Sequence, residues 1–345
     1  MTLSLVSRCP ACSKTDKLLR CQGCKVMFYC SKEHQASDRP AHKRACNAIK
    51  KAEAKCAEEE TKLRNTPGDW TFQANPFENS VGHFWGILET RDYMRARYGV
   101  VESLLKIKTT EAVKAALDHI LDMLRLCRGD NMGVRSLAPA LYLRLGQDQG
   151  AYDFVKWWQT TGQESNYNWG DTDLPYLDTK DADAFEGVEY LASAYLDLSY
   201  TAAITLLKIR LLLDVKALQN STLIGQKVPQ ELLDKIREQL VSTIVANNKE
   251  IMDSDDQSLL IKKLEAQVKQ MHVSVRKGNK YFWPALLNPG RHLTAPLSAY
   301  SHGTVPHMQI SLQQSYDSWT ETPGAIDVIR KLEKGEDISV GKAGP

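Results

Sequence analysis

The sequence predicts a mainly α-helical protein, with a small N-terminal module held together by cysteine and histidine side chains and a large, irregular all-α domain behind it. Six cysteines and two histidines fall in four close pairs between residues 9 and 46. From about residue 80, apolar residues recur at three- and four-residue steps. The first pattern is typical of a module too small for its own hydrophobic core, and the second of packed helices.

The paired cysteines and histidines predict a zinc site with two ions. The pairs are Cys9/Cys12, Cys21/Cys24, Cys30/His34 and His42/Cys46. Two residues with two between them can present both thiolates to one ion from a tight turn, and residues four apart lie one helical turn apart. Eight soft ligands suit two tetrahedral Zn²⁺ ions, whose binding contributes on the order of 10 kcal/mol to folding. Regular pairs that include histidine disfavour the alternative, a disulfide framework.

The residues alone leave open which pairs share an ion. Consecutive sites would combine the first pair with the second and the third with the fourth, whereas interleaved sites would combine the first with the third and the second with the fourth. Both arrangements give four ligands to each ion.

The order of the ligands resembles the MYND-type zinc finger over residues 9–46. The resemblance includes the segments Tyr29-Cys30-Ser31-Lys32 and His42-Lys43-Arg44-Ala45-Cys46. MYND sites interleave, and the ligand sets that this implies are Cys9, Cys12, Cys30 and His34 for zinc 1, and Cys21, Cys24, His42 and Cys46 for zinc 2. The family usually has cysteine where this chain has His34, so the first site is one charge less negative here. Both ions would be structural.

The resemblance also implies a peptide-docking role. MYND fingers look like modules that dock short proline-containing peptides, and a glutamine and a tryptophan four residues later help to form the groove. Gln35 matches the glutamine, but Arg39 stands in place of the tryptophan. The candidate peptide-binding residues are therefore Gln35 and Arg39, and the flat aromatic platform for proline is missing.

Breaks in composition divide the chain into four segments. We expect the finger over 1–48, a polar helical strut over 49–66, an all-α domain over 70–334 and a flexible tail over 335–345. The predicted helices cover 80–107, 110–127, 133–145, 149–160, 184–218, 229–250, 256–277, 307–319 and 323–334, with the strut helix starting near Pro40 and a hairpin loop at 220–228. No clear repeat period is present, so a solenoid-like arrangement is a weaker expectation than an all-α domain.

An aromatic cluster between residues 142 and 169 favours a packed core over a partner groove. Trp157 and Trp158 are adjacent on one predicted helix. Because neighbouring helical residues point in different directions, we expect one of the two indoles to be partly exposed.

Charge is concentrated at the N-terminus. The net charge is +2, yet residues 1–50 hold ten Lys/Arg and three Asp/Glu, and about +5 remains after six thiolates and two zinc ions are included. Such charge can attract nucleic acid or an acidic partner. The basic residues are scattered between the ligands, which predicts that no helix carries a clean basic face and favours an ordinary solvated surface.

Cysteine use and apolar runs indicate the compartment. Only Cys56 and Cys127 lie outside the finger, which is unlike a secreted disulfide scaffold. The N-terminus lacks the apolar core of a signal peptide, and no apolar run reaches membrane length. We expect a cytoplasmic or nuclear protein that does not enter a membrane.

The sequence favours an interaction protein over an enzyme. It has no phosphate-binding glycine loop and no His-Glu-x-x-His, and it lacks the Asn-His-Ser-Cys stretch of SET-domain lysine methyltransferases, in which MYND fingers also occur. The segments 130–135 and 152–158 resemble a group of fungal proteins that pair a MYND finger with a helical body and have no SET domain. We expect a zinc-binding adaptor that docks a peptide or protein; the alternatives are a nucleic-acid-associated transcriptional regulator and, last, a lysine methyltransferase.

Overall fold

The computed structural model describes residues 5, 7–70, 72–191, 197–224, 231, 235 and 239–339. This part of the chain contains one two-stranded antiparallel sheet, β1 (Leu19–Arg20) and β2 (Phe28–Tyr29), and is otherwise helical or irregular. Its α-helices are α1 (Lys32–Asn65), α2 (Pro76–Asn79), α3 (Arg91–Leu104), α4 (Thr110–Leu126), α5 (Ala138–Arg144), α6 (Asp148–Gln159), α7 (Leu198–Ile224), α8 (Thr243–Ala246), α9 (Lys249–Asp253), α10 (Ser258–Gly278), α11 (Phe282–Leu287), α12 (Val305–Thr320) and α13 (Ala325–Glu333). The predicted mainly α class is confirmed.

The chain divides into two compact units. The N-terminal unit consists of Leu5–Leu141 with Asn166–Tyr176, and the C-terminal unit contains Tyr142–Ser165 and Leu177–Pro345. The four segments predicted from sequence remain a prediction. None of the helices in the described ranges is both long and apolar enough to cross a membrane.

Helix α1 organises the N-terminal unit. It runs unbroken from the finger through the segment expected to be a strut, buries Ile49 and Leu63, and packs along α3, which in turn packs along α4. It begins eight residues before the predicted start at Pro40. The Ser31 side chain accepts a hydrogen bond from the backbone N–H of His34 at 3.2 Å and so caps an earlier first turn.

Helix α7 is the central helix of the C-terminal unit, and α6, α10, α12 and α13 pack against it. Residues 198–212 of this helix are all buried, as an apolar helix segment requires. Its buried Arg210 donates to the Asp148 carboxylate and the Leu143 carbonyl, both at 2.7 Å. Lys208 donates to the carbonyls of Ala184 and Glu186 at 2.7 and 2.8 Å, which ties the preceding loop to the helix.

Several predicted helices differ from the structure. The first eleven residues of the predicted helix 80–107 form a turn and two short 3₁₀ helices, Phe84–Gly86 and Leu88–Thr90. Gly82 has a positive φ of 96°, and its N–H and C=O bond to the end of α4 instead of to a helix of their own. The predicted start of the last helix at Pro323 is also wrong, because Gly324 in a left-handed conformation delays it to Ala325.

Some predictions fall partly outside the described residues. In the predicted helix 184–218, residues 184–188 are turn and loop, 189–191 are 3₁₀, 192–196 lie outside the described residues, and α7 begins only at Leu198. Most of the predicted loop 220–228, part of the predicted helix 229–250 and residues 340–345 of the predicted tail also lie outside them.

The prediction that one tryptophan of the pair 157–158 would be partly exposed is wrong. Trp157 and Trp158 are 0% and 2% exposed, and their rings meet edge to face at 5.2 Å. Trp157 donates from its indole N–H to Asp178, and the backbone at Gly162 lies against both rings. The 3₁₀ turn that follows α6 therefore contacts both indoles, and the loop at Asp178 contacts Trp157.

Candidate metal centre

Two Cys-x-x-Cys turns of the same design carry the first four cysteines. We call them the first knuckle (residues 9–13) and the second knuckle (residues 21–25). In each, the residue after the second cysteine is left-handed and donates its N–H to the carbonyl of the first: Ser13 (φ 60°) bonds Cys9 at 2.8 Å, and Lys25 (φ 61°) bonds Cys21 at 2.9 Å. This turn brings both sulfur atoms of a Cys-x-x-Cys pair to one side.

The hairpin and helix α1 supply the other four side chains. Cys30 follows β2 directly, and His34 lies in the first turn of α1. His42 and Cys46 are four residues apart on the same helix, so they share one face one turn apart.

The first donor set brings together Cys9, Cys12, Cys30 and His34, whose ligating atoms all lie within 4.8 Å of one another. The Cys12 and Cys30 Sγ atoms are 3.4 Å apart, and His34 Nδ1 lies 3.0 Å from Cys30 Sγ and 3.5 Å from Cys9 Sγ. Zn–S bonds of about 2.3 Å in a tetrahedron give sulfur separations of about 3.8 Å, so the set has the size that zinc requires. Cys12 is exposed, so this site lies at the surface.

The second donor set, Cys21, Cys24, His42 and Cys46, is equally compact and wholly buried. Cys24 Sγ lies 3.4 Å from His42 Nε2, and Cys21 Sγ lies 3.9 Å from Cys46 Sγ. The two histidines thus present different ring nitrogens, Nδ1 in the first set and Nε2 in the second. The structure has the interleaved grouping, not the consecutive one; that these eight side chains are the ligands remains a prediction.

The surroundings of the second set fit a metal ion. Burial lowers the pKa of His42, which favours the neutral imidazole that metals bind. A side chain on Gly23 would place its Cβ only 2.6 Å from Cys46 Sγ, so the knuckle closes around the sulfur as tightly as a glycine allows. Tyr29 packs edge to face on the His42 ring and donates to Asp38 at 2.7 Å, which holds the helix against the hairpin.

The finger is joined to the helices behind it by more than α1. Thr109 donates from its hydroxyl to the Val26 carbonyl at 2.6 Å and accepts the Ala112 N–H as the N-cap of α4. Thr110 donates to the Leu5 carbonyl at 3.1 Å. One threonine therefore starts a helix of the body and fixes the loop that follows the second knuckle.

The predicted peptide-binding residues lie one turn apart at the start of α1. Gln35 is half-buried and Arg39 is exposed. Arg39 makes no ion pair with any residue that the structure describes, so its guanidinium is available at the surface.

Comparison with known proteins identifies the module. Residues 8–46 match the family model of the MYND finger. This part of the chain is a MYND finger. MYND domains bind zinc and mediate protein interactions, and the two donor sets fit two structural zinc ions, three thiolates and one imidazole each. Residues 8–46 are a small part of the chain, so the match assigns the finger and leaves the helical body unassigned.

Two curated relatives share short stretches with the chain. Egl nine homolog 1 of Mus musculus is 38% identical over 60 residues, which cover 17% of this chain and 15% of that protein. Egl nine homolog 1 of Homo sapiens is 50% identical over 38 residues, 11% of this chain and 9% of that protein. The chain thus spans less than a sixth of the curated relatives that it matches. No solved structure matches it significantly.

Sequence reasoning missed the residues that shape the finger around its donors. Ser31 caps α1, and Gly23 lets the second knuckle approach Cys46 closely. Thr109 donates to the Val26 carbonyl and so holds the finger against α4. Ser31 before a charged first turn was a readable cap signal. The roles of Gly23 and Thr109 depend on contacts with residues 23 and 83 positions away, which no local pattern indicates.

Proposed function

We propose that this protein is a zinc-dependent interaction adaptor, in which the MYND finger docks a peptide or protein partner and the helical body offers a second surface. The observation that supports this most is the completeness of the two donor sets. Each holds four soft ligands and thus leaves no position for a substrate or an activated water, the arrangement of structural rather than catalytic zinc. We accordingly propose no catalytic role.

The anchoring of the finger supports the same proposal. A finger that is continuous with α1 and clamped by Thr109 would hold a partner at a fixed position on its unit. Because six reduced cysteines are needed for the two zinc ions, we propose a reducing compartment, cytosol or nucleus.

A selection experiment tests the adaptor role. Immobilised full-length protein is exposed to a displayed library of short peptides, with Cys24→Ser as the variant lacking a buried zinc ligand and Cys56→Ser as the matched control outside the donor sets. We expect a peptide family that binds the parent and the control but not Cys24→Ser. Equal enrichment on all three proteins, or no enrichment at all, would contradict the adaptor role.

The inherited proline-peptide mode has its own test. Arg39→Trp restores the aromatic platform of the family, and titration with a proline-containing peptide compares it with the parent. We expect tighter binding by the variant, because a flat indole packs on a proline ring better than a guanidinium does. If neither protein binds, the finger does not use this mode.

A further inference from the structure

The N-terminal half of α1 carries a row of exposed cations on one face. Lys32, Arg39, Lys43 and Lys50 are all exposed and are separated by 7, 4 and 7 residues. At about 100° per residue they lie within about 20° of one line along the helix, and at 1.5 Å per residue the row is about 27 Å long. We call these four residues the basic stripe.

The sequence-based expectation that no helix has a clean basic face is therefore wrong. It placed the start of the helix near Pro40, which left Lys32 and Arg39 outside and removed half of the row. With the helix beginning at Lys32, four charges that look scattered along the chain share one face.

The stripe differs from the C-terminal half of the same helix in that its cations form no ion pairs with the described residues. In the C-terminal half, Lys55 pairs with Glu58 and Glu59, Lys62 with Glu59, and Arg64 with Glu60. Among the residues that the structure describes, no carboxylate forms an ion pair with any of the four stripe residues. The four cationic side chains are thus exposed and free of ion pairs with the described residues.

We propose that the basic stripe is the docking surface for an acidic α-helix of a protein partner, with carboxylates at the same 7-4-7 spacing. This proposal rests on the adaptor function and names the chemistry of its partner. The spacing reads the same in both directions, so such a helix can align parallel or antiparallel. Ala36 and Ala54, both exposed and about 40° from the row, leave room for close approach.

The flanks of the stripe favour a protein helix over nucleic acid. Arg44 and Lys51 lie about 120° and 100° from the row on one side, which also carries Glu33, whereas the other side, about 60° from the row, carries Gln35 and the exposed carboxylate of Glu53. A helix in the major groove has phosphates on both sides, across a width of about 12 Å. The phosphates of one DNA strand would therefore meet the Glu53 carboxylate instead of a cation.

The stripe also depends on the finger. The Lys50 stem lies against the second knuckle, 3.6 Å from where a Cβ on Gly23 would stand. The knuckle that encloses the second donor set therefore supports the C-terminal end of the stripe.

The test measures binding of labelled peptides to the full-length protein by fluorescence anisotropy. The probe is a helical peptide with glutamates at positions i, i+7, i+11 and i+18, and the reference peptide has the same composition with the glutamates spread around the helix. An exposed ion pair contributes up to about 1 kcal/mol, about fivefold in affinity. We expect the patterned peptide to bind at least roughly tenfold more tightly than the reference peptide, with affinity falling as salt rises.

Matched variants locate the site. Replacing all four stripe residues by glutamine should weaken the patterned peptide by roughly tenfold or more, whereas Lys55→Gln with Lys62→Gln should change its affinity by less than about twofold. Circular dichroism and native mass spectrometry verify that both variants keep their helix content and both zinc ions.

Three outcomes would overturn the proposal, and they are distinguishable from failure of the adaptor role. Equal binding of both peptides, or parental binding by the stripe variant, would remove the acidic-helix partner while leaving library-selected peptides as evidence for an adaptor. The third outcome is tight, steeply salt-dependent binding of duplex DNA that the stripe variant loses, together with no binding of the patterned peptide. This result would overturn both the acidic-helix proposal and the adaptor role, and it would establish a nucleic-acid partner.

Discussion

Substituting Gly23 by alanine should weaken the second zinc site selectively. The added Cβ would stand 2.6 Å from Cys46 Sγ, whereas ordinary contacts begin at 3.4 Å, so the two atoms must separate by about 0.8 Å. Ligand distances in a zinc site vary by only about 0.2 Å, so the sulfur cannot move that far and stay bound. The knuckle must distort instead.

The expected cost is that of overpacking a rigid core, about 1 to 3 kcal/mol. If this cost destabilises the zinc-bound state only, the zinc affinity of the second site drops roughly 5- to 150-fold. Competition with a chromophoric chelator measures this change, and native mass spectrometry counts the ions retained. We expect Gly23→Ala to release one ion at chelator concentrations at which the parent keeps two.

Gly99→Ala is the matched control. Nothing lies within 4 Å of a Cβ added at Gly99, which is inside α3, so this change should leave zinc binding unaltered and stabilise the helix by up to about 1 kcal/mol. If Gly23→Ala keeps both ions with parental affinity, the packing of the second knuckle on Cys46 is refuted, and with it the argument that glycine is required there.

Four further predictions follow from the same structure. His34→Ala should reduce the zinc count in native mass spectrometry from two to one while circular dichroism shows the helical body intact; two retained ions would contradict its role as a ligand. Thr109→Val should lower the free energy of unfolding by about 1 kcal/mol in urea titration, because α4 loses its N-cap; an unchanged value would contradict the cap. Arg210→Met should cost about 3 to 5 kcal/mol in the same assay, because it leaves the buried Asp148 carboxylate without its cation; a loss below about 1 kcal/mol would contradict the pair. Burial raises the pKa of Asp130 to about 6, so the protonated acid is favoured in the folded state and the stability that it contributes is lost as the pH rises through about 6; a carboxyl NMR titration should show that midpoint, and one near 4 would refute it.

The helices that the sequence predicted well are those whose signal is local. The predicted helix 110–127 corresponds to α4, which has Thr109 as its cap and a strong apolar face, and the predicted 149–160 and 256–277 correspond to α6 and α10 within two residues at each end. Capping and 3.6-residue periodicity involve neighbours within one or two turns. The residues that determine these three helices are therefore close together in the sequence.

Predictions failed where distant residues decide the outcome. Trp157 donates to Asp178, 21 residues away, and the helix predicted from residue 80 gives way to a turn that bonds with the end of α4. Neither Asp178 nor the end of α4 is close in sequence to these segments, so periodicity alone could not reveal the contacts.

The sequence by itself determined that this chain carries a two-zinc finger on a mainly helical body, because donor type, pair spacing and apolar period are local properties of the chain. Only the tertiary structure decided which pairs lie together, since Cys12 and Cys30 meet at 3.4 Å through the path of the hairpin between them. That pairing depends on where chain segments meet in space, which is fixed by packing over long sequence separations rather than by local spacing. The start of α1 at Lys32, which aligns the basic stripe, depends instead on the local Ser31 cap.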